Sequence, residues 1–339
     1  MSVPRPVAAV LAAFADLAPV APDSLPLAEA AGLALAEPLR VAEALPNRAT
    51  ALRPGWAVSS RDLVGASPYA PVTLVSPSLL GVGDPLPSGT DALLPPEALS
   101  AEGEVTAEVV PGDGLRRAGA DAAAGAVLAE AGARVGPTLV GVAAALGMVA
   151  LPVRRPRVRL VAPAGAAGRL LAAACRAAGA HVETEGGVDL VVEVLRTEAE
   201  RAALAARLGA GLVAGRVALR PGGEMLVAGL AEGHPVIAVA DRPEAALAAY
   251  LLLIAPLLAR LSGSPHAPRA ASPRPLARKL ASRVGLTELA LLRAVDAAWE
   301  PVAVGEATLS ALGRAEAWLP LPPESEGLPA GAPVAPYLL

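Results

Sequence analysis

Residues 157–263 alternate short β-branched runs with longer runs rich in alanine and leucine. This alternation restricts the fold more than any other feature, because strands that alternate with helices form a mostly parallel sheet covered by those helices. The predicted strands are 157–162, 188–194 and 235–240, and the predicted helices are 168–178, 197–208 and 243–261. Thr197 and Glu200 have the spacing of a capping box at the start of the second helix.

The rest of the chain differs in character from this α/β segment. Residues 46–134 are rich in proline, glycine and short valine-containing runs, which indicates a β-rich domain with many turns. After a Pro/Ser-rich linker, we predict a helix near residues 286–296 and then short strands. The predicted domains are a helical and linker domain at 1–45 and 135–155, a β-rich domain at 46–134, a central α/β domain at 156–264 and a C-terminal β domain at 265–339.

Composition excludes several classes of protein. Of 339 residues 54% are hydrophobic and 18% charged, so the chain can bury a sizeable core. A net charge of −4 without a basic block argues against nucleic-acid binding. One cysteine and three scattered histidines form neither a disulfide nor a closed zinc site. The uncharged stretches 135–153 and 245–258 contain prolines and indicate core helices, so we expect a cytoplasmic protein that does not cross a membrane.

Ligands of an open α/β sheet bind beyond the carboxyl ends of its parallel strands, so the loops that follow the predicted strands are candidate sites. The first loop, 163–168, contains neither an acid nor a hydroxyl group. The second begins with Arg196, which would either pair with a phosphate or remain solvated. The third contains Asp241 and Glu244, which form either a carboxylate pair or a charge set that complements the helix dipole.

Two further charged segments are candidates. Asp121 follows two arginines, which would bind an anion, help to position a metal or simply be solvated. Arg220 begins the glycine turn 220–224, which is typical of a hairpin. The spacing of serine, histidine, cysteine and acids predicts no catalytic triad. The residues alone therefore predict a multi-domain α/β protein without a recognisable catalytic constellation.

A resemblance to a known family is carried by short phrases that occur in a fixed order. The segments are 25–40, 83–97 (G-D-P-L-P-S-G-T-D-A-L-L-P-P-E), 115–125, 218–223 (A-L-R-P-G-G), 254–263 and 313–331. With these phrases the chain resembles the molybdopterin molybdotransferases, the family of MoeA and the E domain of gephyrin, over nearly its whole length. The resemblance implies a multi-domain α/β fold with a central three-layer, MogA-like domain of mostly parallel sheet, a β-rich domain and a small C-terminal β domain.

The resemblance also implies ligands and site residues. Its ligand would be molybdopterin or the adenylylated form, into which molybdate is inserted while Mg²⁺ assists the release of AMP, and the protein would be a homodimer. The phrases that match the family give a set of candidate cofactor-binding residues, namely Gly83, Pro87, Asp91, Glu97, Arg220, Pro221 and Gly222. The candidate catalytic acids are Asp121, Asp241 and Glu244. The sequence does not identify a metal ligand set.

Departures from the family pattern occur where the family carries its chemistry. Pro54 stands in place of the catalytic aspartate, and the loop at 162–167 lacks both acids and the threonine of the family's loop. The loops at 192–197 and 239–243 also differ from the family's phosphate-cradling and L-P-G-N-P loops. The leading hypothesis is therefore a catalytically degenerate member that binds or delivers the cofactor, or assists an active molybdotransferase or a molybdoenzyme. Two alternatives stay open: an active molybdotransferase that uses the three candidate acids, and a scaffold or regulatory module that binds no pterin.

Overall fold

The structure is a computed structural model and describes residues 3–161 and 164–339. The chain divides into two compact units. Met1–Glu37 and Ala131–Leu339 form the first, here called the host unit, and Pro38–Glu130 form the second, here called the inserted unit. The inserted unit therefore interrupts the sequence of the host unit.

A six-stranded sheet forms the centre of the host unit. Its strands lie in the order His181–Glu183, Arg157–Val161, Leu190–Leu195, His234–Ala240, Val227–Ala231 and Leu212–Ala214. The first four strands are parallel to one another, whereas the last two pair antiparallel. The predicted α/β segment with a mostly parallel sheet is thus confirmed. Residue 162, at the end of the first predicted strand, lies outside the described residues.

Helices cover both faces of this sheet, and their ends follow from local sequence. Ala166–Ala177 follows the first parallel strand, and Glu198–Leu208 follows Leu190–Leu195. The predicted capping box is present, because the Thr197 hydroxyl accepts from the Glu200 N–H at 3.2 Å and the Glu200 carboxylate accepts from the Thr197 N–H at 3.3 Å.

The last helical segment of the sheet domain changes its winding in the middle. Pro243–Ala249 and Ala255–Leu261 are α-helical, whereas Tyr250–Ile254 forms a π-turn. Pro256 lacks the N–H that an α-helix would use at this point, which accounts for the wider turn before it. The 19-residue segment Pro243–Leu261 is long and apolar enough to cross a membrane, but half of its most apolar stretch is buried in the unit, as in a core helix.

The connection between two of the parallel strands is unusually short. Residues 184–189 alone join His181–Glu183 to Leu190–Leu195, although these strands lie on opposite sides of Arg157–Val161. Such crossovers normally need a dozen or more residues, usually a helix. Val161, at the end of the strand between them, is 45% exposed.

A small antiparallel sheet holds the host chain together on both sides of the insertion. Its strands are Asp23–Pro26, Ala150–Arg154 and Ala34–Leu35, with the second in the middle. The Leu35 N–H donates to the carbonyl of Ala133 at 2.9 Å. The helices of this region are Val7–Ala12, Leu27–Ala30 and Pro137–Ala145.

The C-terminal part of the host unit is built on β-strands, as expected, but one prediction for it is wrong. The helix expected near 286–296 is the strand Thr287–Val295. Leu289 and Leu291 on one face join the main core, while Ala290 and Leu292 on the other face join a second core. Both faces are therefore buried, and this packing overrides the helix preference of leucine and alanine.

Thr287–Val295 pairs with strands from several parts of the chain. Its sheet also contains Leu219–Arg220, Ala298–Val304, Ala317–Leu321 and Tyr337–Leu338. The remaining elements of this region are the helix Leu309–Arg314 and the short strands Arg274–Pro275, Leu280–Ala281, Gly327–Leu328 and Pro333–Val334.

The inserted unit is rich in short strands, as the sequence predicts. Gly55–Val58 lies between Ser78–Leu80 and Ala92–Leu94 in a three-stranded antiparallel sheet. The other strands pair two by two: Leu39–Arg40 with Val127–Ala129, Thr50–Ala51 with Leu115–Arg116, and Val72–Thr73 with Glu104–Val105. Two 3₁₀ turns, Ser60–Leu63 and Pro96–Ala98, complete the unit.

Candidate functional site

The carboxyl edge of the central sheet brings three loops together, as a parallel sheet requires. These loops follow Arg157–Val161, Leu190–Leu195 and His234–Ala240, which are neighbours in the sheet. In the first predicted loop, 163–168, residue 163 lies outside the described residues. From Gly165, which is the N-cap residue of Ala166–Ala177, the loop leads directly into a helix.

Asp241 lies where these three loops meet. Its N–H donates to the carbonyl of Leu195 at 2.8 Å, which ties the third loop to the second. Its carboxylate lies 3.5 Å from Nε of Arg196 and is 24% exposed. The same carboxylate lies against Gly165, where a Cβ atom would come within 2.7 Å of Oδ1. Asp241 thus already places a negative charge beside the start of the helix.

Glu244 does not form a carboxylate pair with Asp241 but faces a different arginine. Nε of Arg242 lies 3.6 Å from Oε1 of Glu244, and its Nη2 donates to Oε1 of Glu224 at 2.7 Å. The edge therefore alternates acids with arginines. Sequence reasoning placed Glu224 in a separate turn, since nothing in its spacing reveals that Arg242 joins the two segments.

The described residues do not fit a magnesium site at this edge. Within 3–161 and 164–339, no three histidine, cysteine or acidic residues are grouped closely enough to hold a metal ion. Mg²⁺ is bound through carboxylate oxygens that are free to coordinate it. Here each of Asp241, Glu244 and Glu224 instead faces an arginine.

Arg220, Pro221 and Gly222 lie in a turn that joins the sheet domain to the C-terminal strands. Arg220 donates from Nη1 to Glu288 at 3.1 Å and from Nη2 to Glu306 at 2.6 Å. Pro221 follows a cis peptide bond, and Gly222 has a φ of +88°. The Arg220 side chain is 18% exposed, so its guanidinium is largely enclosed by these two carboxylates.

In the inserted unit, Gly83 has a φ of +88° and forms a turn, while Glu97 is exposed in the 3₁₀ turn Pro96–Ala98. Asp91 accepts hydrogen bonds from the Ser60 N–H at 2.6 Å and the Ser60 hydroxyl at 2.7 Å. Pro87 lines a cavity of about 440 Å³ together with polar side chains such as Asp62. Of these four candidates, only Pro87 lines this cavity.

Asp121 also belongs to the inserted unit, whereas the other two candidate acids belong to the host unit. Its carboxylate lies 2.9 Å from Nη1 of Arg116, and both side chains are about half exposed. Exposed pairs of this kind contribute little to stability. In the structure Asp121 thus pairs with Arg116, the first of the two arginines that precede it in sequence.

Comparison with known proteins shows which family the N-terminal part of the chain is similar to. Residues 5–147 match the MoeA N-terminal region (domain I and II). The chain is 33% identical over 161 residues to molybdopterin molybdenumtransferase 2 of Mycobacterium tuberculosis, an alignment that covers 41% of this chain and 40% of that protein. It is 32% identical over 166 residues to molybdopterin molybdenumtransferase of Synechococcus elongatus, which covers 42% and 41% respectively. The chain thus spans about two fifths of the length of these curated relatives.

Solved structures extend the likeness to the whole fold. A molybdopterin biosynthesis MoeA protein from Pyrococcus horikoshii superposes with a TM-score of 0.84 at 21% identity and covers 99% of each chain. A molybdenum cofactor biosynthesis protein from Pyrococcus furiosus has a TM-score of 0.64 at 18% identity, with 99% of this chain and 100% of that chain covered. Residues 5–147 thus belong to the MoeA family, and the whole chain has the fold of the MoeA structures. The predicted family and fold class are thereby confirmed.

Within the part that matches MoeA, residue 54, where the family resemblance implies an aspartate, lies in a turn. Pro54 is exposed and precedes the strand Gly55–Val58 of the inserted unit. The preceding Arg53 donates to the carboxylate of Asp113 at 2.9 Å. Proline supplies neither a carboxylate nor a backbone N–H at this point.

A mainly apolar cavity of the host unit lies away from the predicted site residues. It has a volume of about 920 Å³ and is lined mainly by apolar side chains, among them Leu170, Leu251 and Trp318. His266 lines it too, and burial lowers the pKa of this histidine. None of the candidate catalytic or cofactor-binding residues lines this cavity.

We expect Asp91→Asn to reduce the loss of stability that the inserted unit suffers in acid. The two hydrogen bonds from Ser60 hold the pKa of Asp91 below its ordinary value of 3.8. A lowered carboxyl pKa contributes stability that is present above the unfolded value and is lost as the pH falls through the folded value. Thermal unfolding of the full chain between pH 6 and pH 3 (roughly one unit below the usual carboxyl range) measures the effect.

Asp62→Asn is the matched control, because Asp62 lies in the same 3₁₀ turn and its carboxylate accepts no hydrogen bond from any residue that the structure describes. We expect its pH profile to follow that of the parent protein. Equal profiles for Asp91→Asn and Asp62→Asn would show that the hydrogen bonds from Ser60 do not carry the pH dependence.

Proposed function

We propose that this MoeA-family chain acts in molybdenum cofactor biosynthesis by binding molybdopterin or its adenylylated form, and that it does not itself insert molybdate. The observation that carries this proposal is the pairing at the carboxyl edge of the sheet. Asp241 faces Arg196, and Glu244 and Glu224 face Arg242. Carboxylates held in this way are poor acids, bases and metal ligands, whereas the arginines keep a surface suited to an anionic ligand.

Arg196 and Arg242 are placed to bind the phosphate groups of such a ligand. Each precedes a helix that follows a parallel strand, and their side chains are 57% and 47% exposed. Helix N-termini and arginines both favour phosphate. Both guanidinium groups are therefore accessible to solvent, and a phosphate would compete with the carboxylates for them.

The loss of catalysis is supported by the acids that the chain lacks. Pro54 stands where the family resemblance implies an aspartate, and the described residues provide no group of metal ligands. A single general acid or base typically contributes about 10²- to 10⁴-fold to a rate, so the absence of several would leave little activity. The chain would then carry the cofactor, or assist an active molybdotransferase or a molybdoenzyme, as a cytoplasmic homodimer.

The proposal is tested by incubating the purified full chain with adenylylated molybdopterin, molybdate and Mg²⁺. AMP release and protein-retained pterin are then measured in the same sample. We expect retained pterin without AMP release above background, and retention weakened about tenfold in Arg196→Ala. Arg207→Ala is the matched control, because Arg207 also pairs with a carboxylate, that of Glu193 at 2.8 Å, but outside the three loops.

Each other outcome identifies a different function. AMP release that Asp121→Ala, Asp241→Asn or Glu244→Gln abolishes would establish an active molybdotransferase. The absence of both signals would establish a scaffold or regulatory module that binds no pterin. Light scattering at micromolar concentration tests the homodimer separately, and a monomeric mass would contradict it.

A further inference from the structure

An open cleft of about 420 Å³ lies at the amino edge of the central sheet, opposite the loops described above. It lies where the helix Ala166–Ala177 ends and where the strand His181–Glu183 begins. Arg134, Arg155 and Arg176 line it, and we refer to it as the arginine cleft. All of its residues belong to the host unit.

The three arginines come from separate parts of the chain. Arg134 precedes the helix Pro137–Ala145, Arg155 lies between two consecutive strands, and Arg176 lies in the last turn of Ala166–Ala177. Among the residues that the structure describes, none of the three forms an ion pair with an acidic side chain. Folding therefore brings three uncompensated positive charges to one cleft.

Other titratable groups in the cleft do not cancel this charge. Glu29 is the one carboxylate among its lining residues. His181 lines it as well, and its Nε2 lies 3.7 Å from the carboxylate of Glu183. Three guanidinium groups thus face one lining carboxylate, in a chain whose net charge is −4.

Capping of the helix end explains only one of the arginines. Nη2 of Arg134 donates to the carbonyl of Ala177 at 2.6 Å. The carbonyls of the three preceding residues accept backbone N–H groups at 2.9 to 3.0 Å, namely Ala174 from Ala178, Cys175 from Ala180 and Arg176 from Gly179. The helix end is therefore satisfied without the side chains of Arg155 and Arg176, which leaves both free to bind a ligand.

We propose that the arginine cleft binds a small ligand that carries a phosphate group. Guanidinium groups match the oxygens of a phosphate in pairs, and their mutual repulsion falls when a multiply charged anion lies between them. A volume of about 420 Å³ exceeds that of a single ion and accommodates a phosphate with a small organic substituent. The proposal does not depend on pterin binding at the carboxyl edge.

Isothermal titration of the full chain with pyrophosphate at low ionic strength tests the proposal. We expect saturable binding that weakens about tenfold or more in Arg155→Ala and in Arg176→Ala, because each removes a charged hydrogen-bond donor. Glu29→Gln should tighten binding, since it removes the lining carboxylate. Added salt should weaken binding in the parent protein.

Two control variants separate this cleft from other positive charges. Arg159→Ala changes an arginine of the same sheet that lines another cavity, beside Glu193 and Glu232, and should leave the affinity unchanged. Arg196→Ala changes the proposed phosphate-binding loops of the carboxyl edge, so it should leave unchanged the part of the binding that Arg155→Ala and Arg176→Ala weaken. The proposal is overturned if pyrophosphate does not bind saturably, if Arg159→Ala weakens binding as much as Arg155→Ala, or if Arg196→Ala alone abolishes it.

Discussion

Substitution of Arg220 by alanine is expected to lower the free energy of unfolding by about 3 to 5 kcal/mol, the usual cost of leaving one partner of a buried ion pair uncompensated. The side chain of Glu288 is 3% exposed and lies 3.1 Å from Arg220. Without Arg220, the hydrogen bond from the Arg283 N–H at 2.8 Å would be the one that this carboxylate keeps among the residues that the structure describes. Urea denaturation of the full chain, followed by circular dichroism, measures the change.

The second carboxylate on Arg220 provides the control. Glu306 accepts from Nη2 at 2.6 Å, but its side chain is 77% exposed. Glu306→Ala should therefore cost no more than about 1 kcal/mol. Equal losses for Arg220→Ala and Glu306→Ala would contradict the buried pair as the source of stability. A stable Arg220→Ala variant would instead leave Arg220 available for the ligand-binding role that the family resemblance implies.

Gly222→Ala is expected to destabilise the chain by about 3 kcal/mol, through backbone strain and overpacking together. Gly222 has a φ of +88°, which residues with a Cβ atom rarely adopt. A Cβ atom there would overlap the Cβ atom of Ala245 in the helix Pro243–Ala249. The turn can therefore approach the helix this closely only because residue 222 has no side chain. Thermal unfolding of the full chain measures the loss of stability in the variant.

Gly233→Ala separates the two causes. Gly233 has a similar φ of +83°, but a Cβ atom there would meet nothing within 4 Å. We expect this control to show the backbone strain alone, about 1 to 2 kcal/mol. If Gly222→Ala and Gly233→Ala lose the same stability, overlap with Ala245 does not contribute to the destabilisation.

Most of the central fold could be predicted from sequence because its signals are local. The strand Leu190–Leu195 is an apolar run interrupted by one residue, Glu193, and the helix Glu198–Leu208 begins with its own capping box. Thr287–Val295 could not be predicted in this way, because two separate cores bury its two faces and both are built from distant parts of the chain. The strand His181–Glu183 has three residues, too few for a periodic pattern.

The candidate site was less predictable, because its contacts join residues that are far apart in sequence. The sequence places Asp241 after a strand, but it does not show that its carboxylate meets Gly165. Nor does it show that Arg220, a candidate ligand-binding residue, faces an acid 68 positions away. The arginine cleft depends in the same way on convergence, since Arg134, Arg155 and Arg176 form no motif.

The insertion of one unit into the other has a consequence for synthesis on the ribosome. The strand Asp23–Pro26 emerges long before its partner Ala150–Arg154, because the whole inserted unit lies between them in sequence. An unfolded stretch of that length would oppose closure of the host sheet entropically. The inserted unit, however, pairs its own ends through Leu39–Arg40 and Val127–Ala129. Once the inserted unit has folded, this pairing holds its two ends close together in the nascent chain. The loop that must close before Asp23–Pro26 pairs with Ala150–Arg154 is then much shorter.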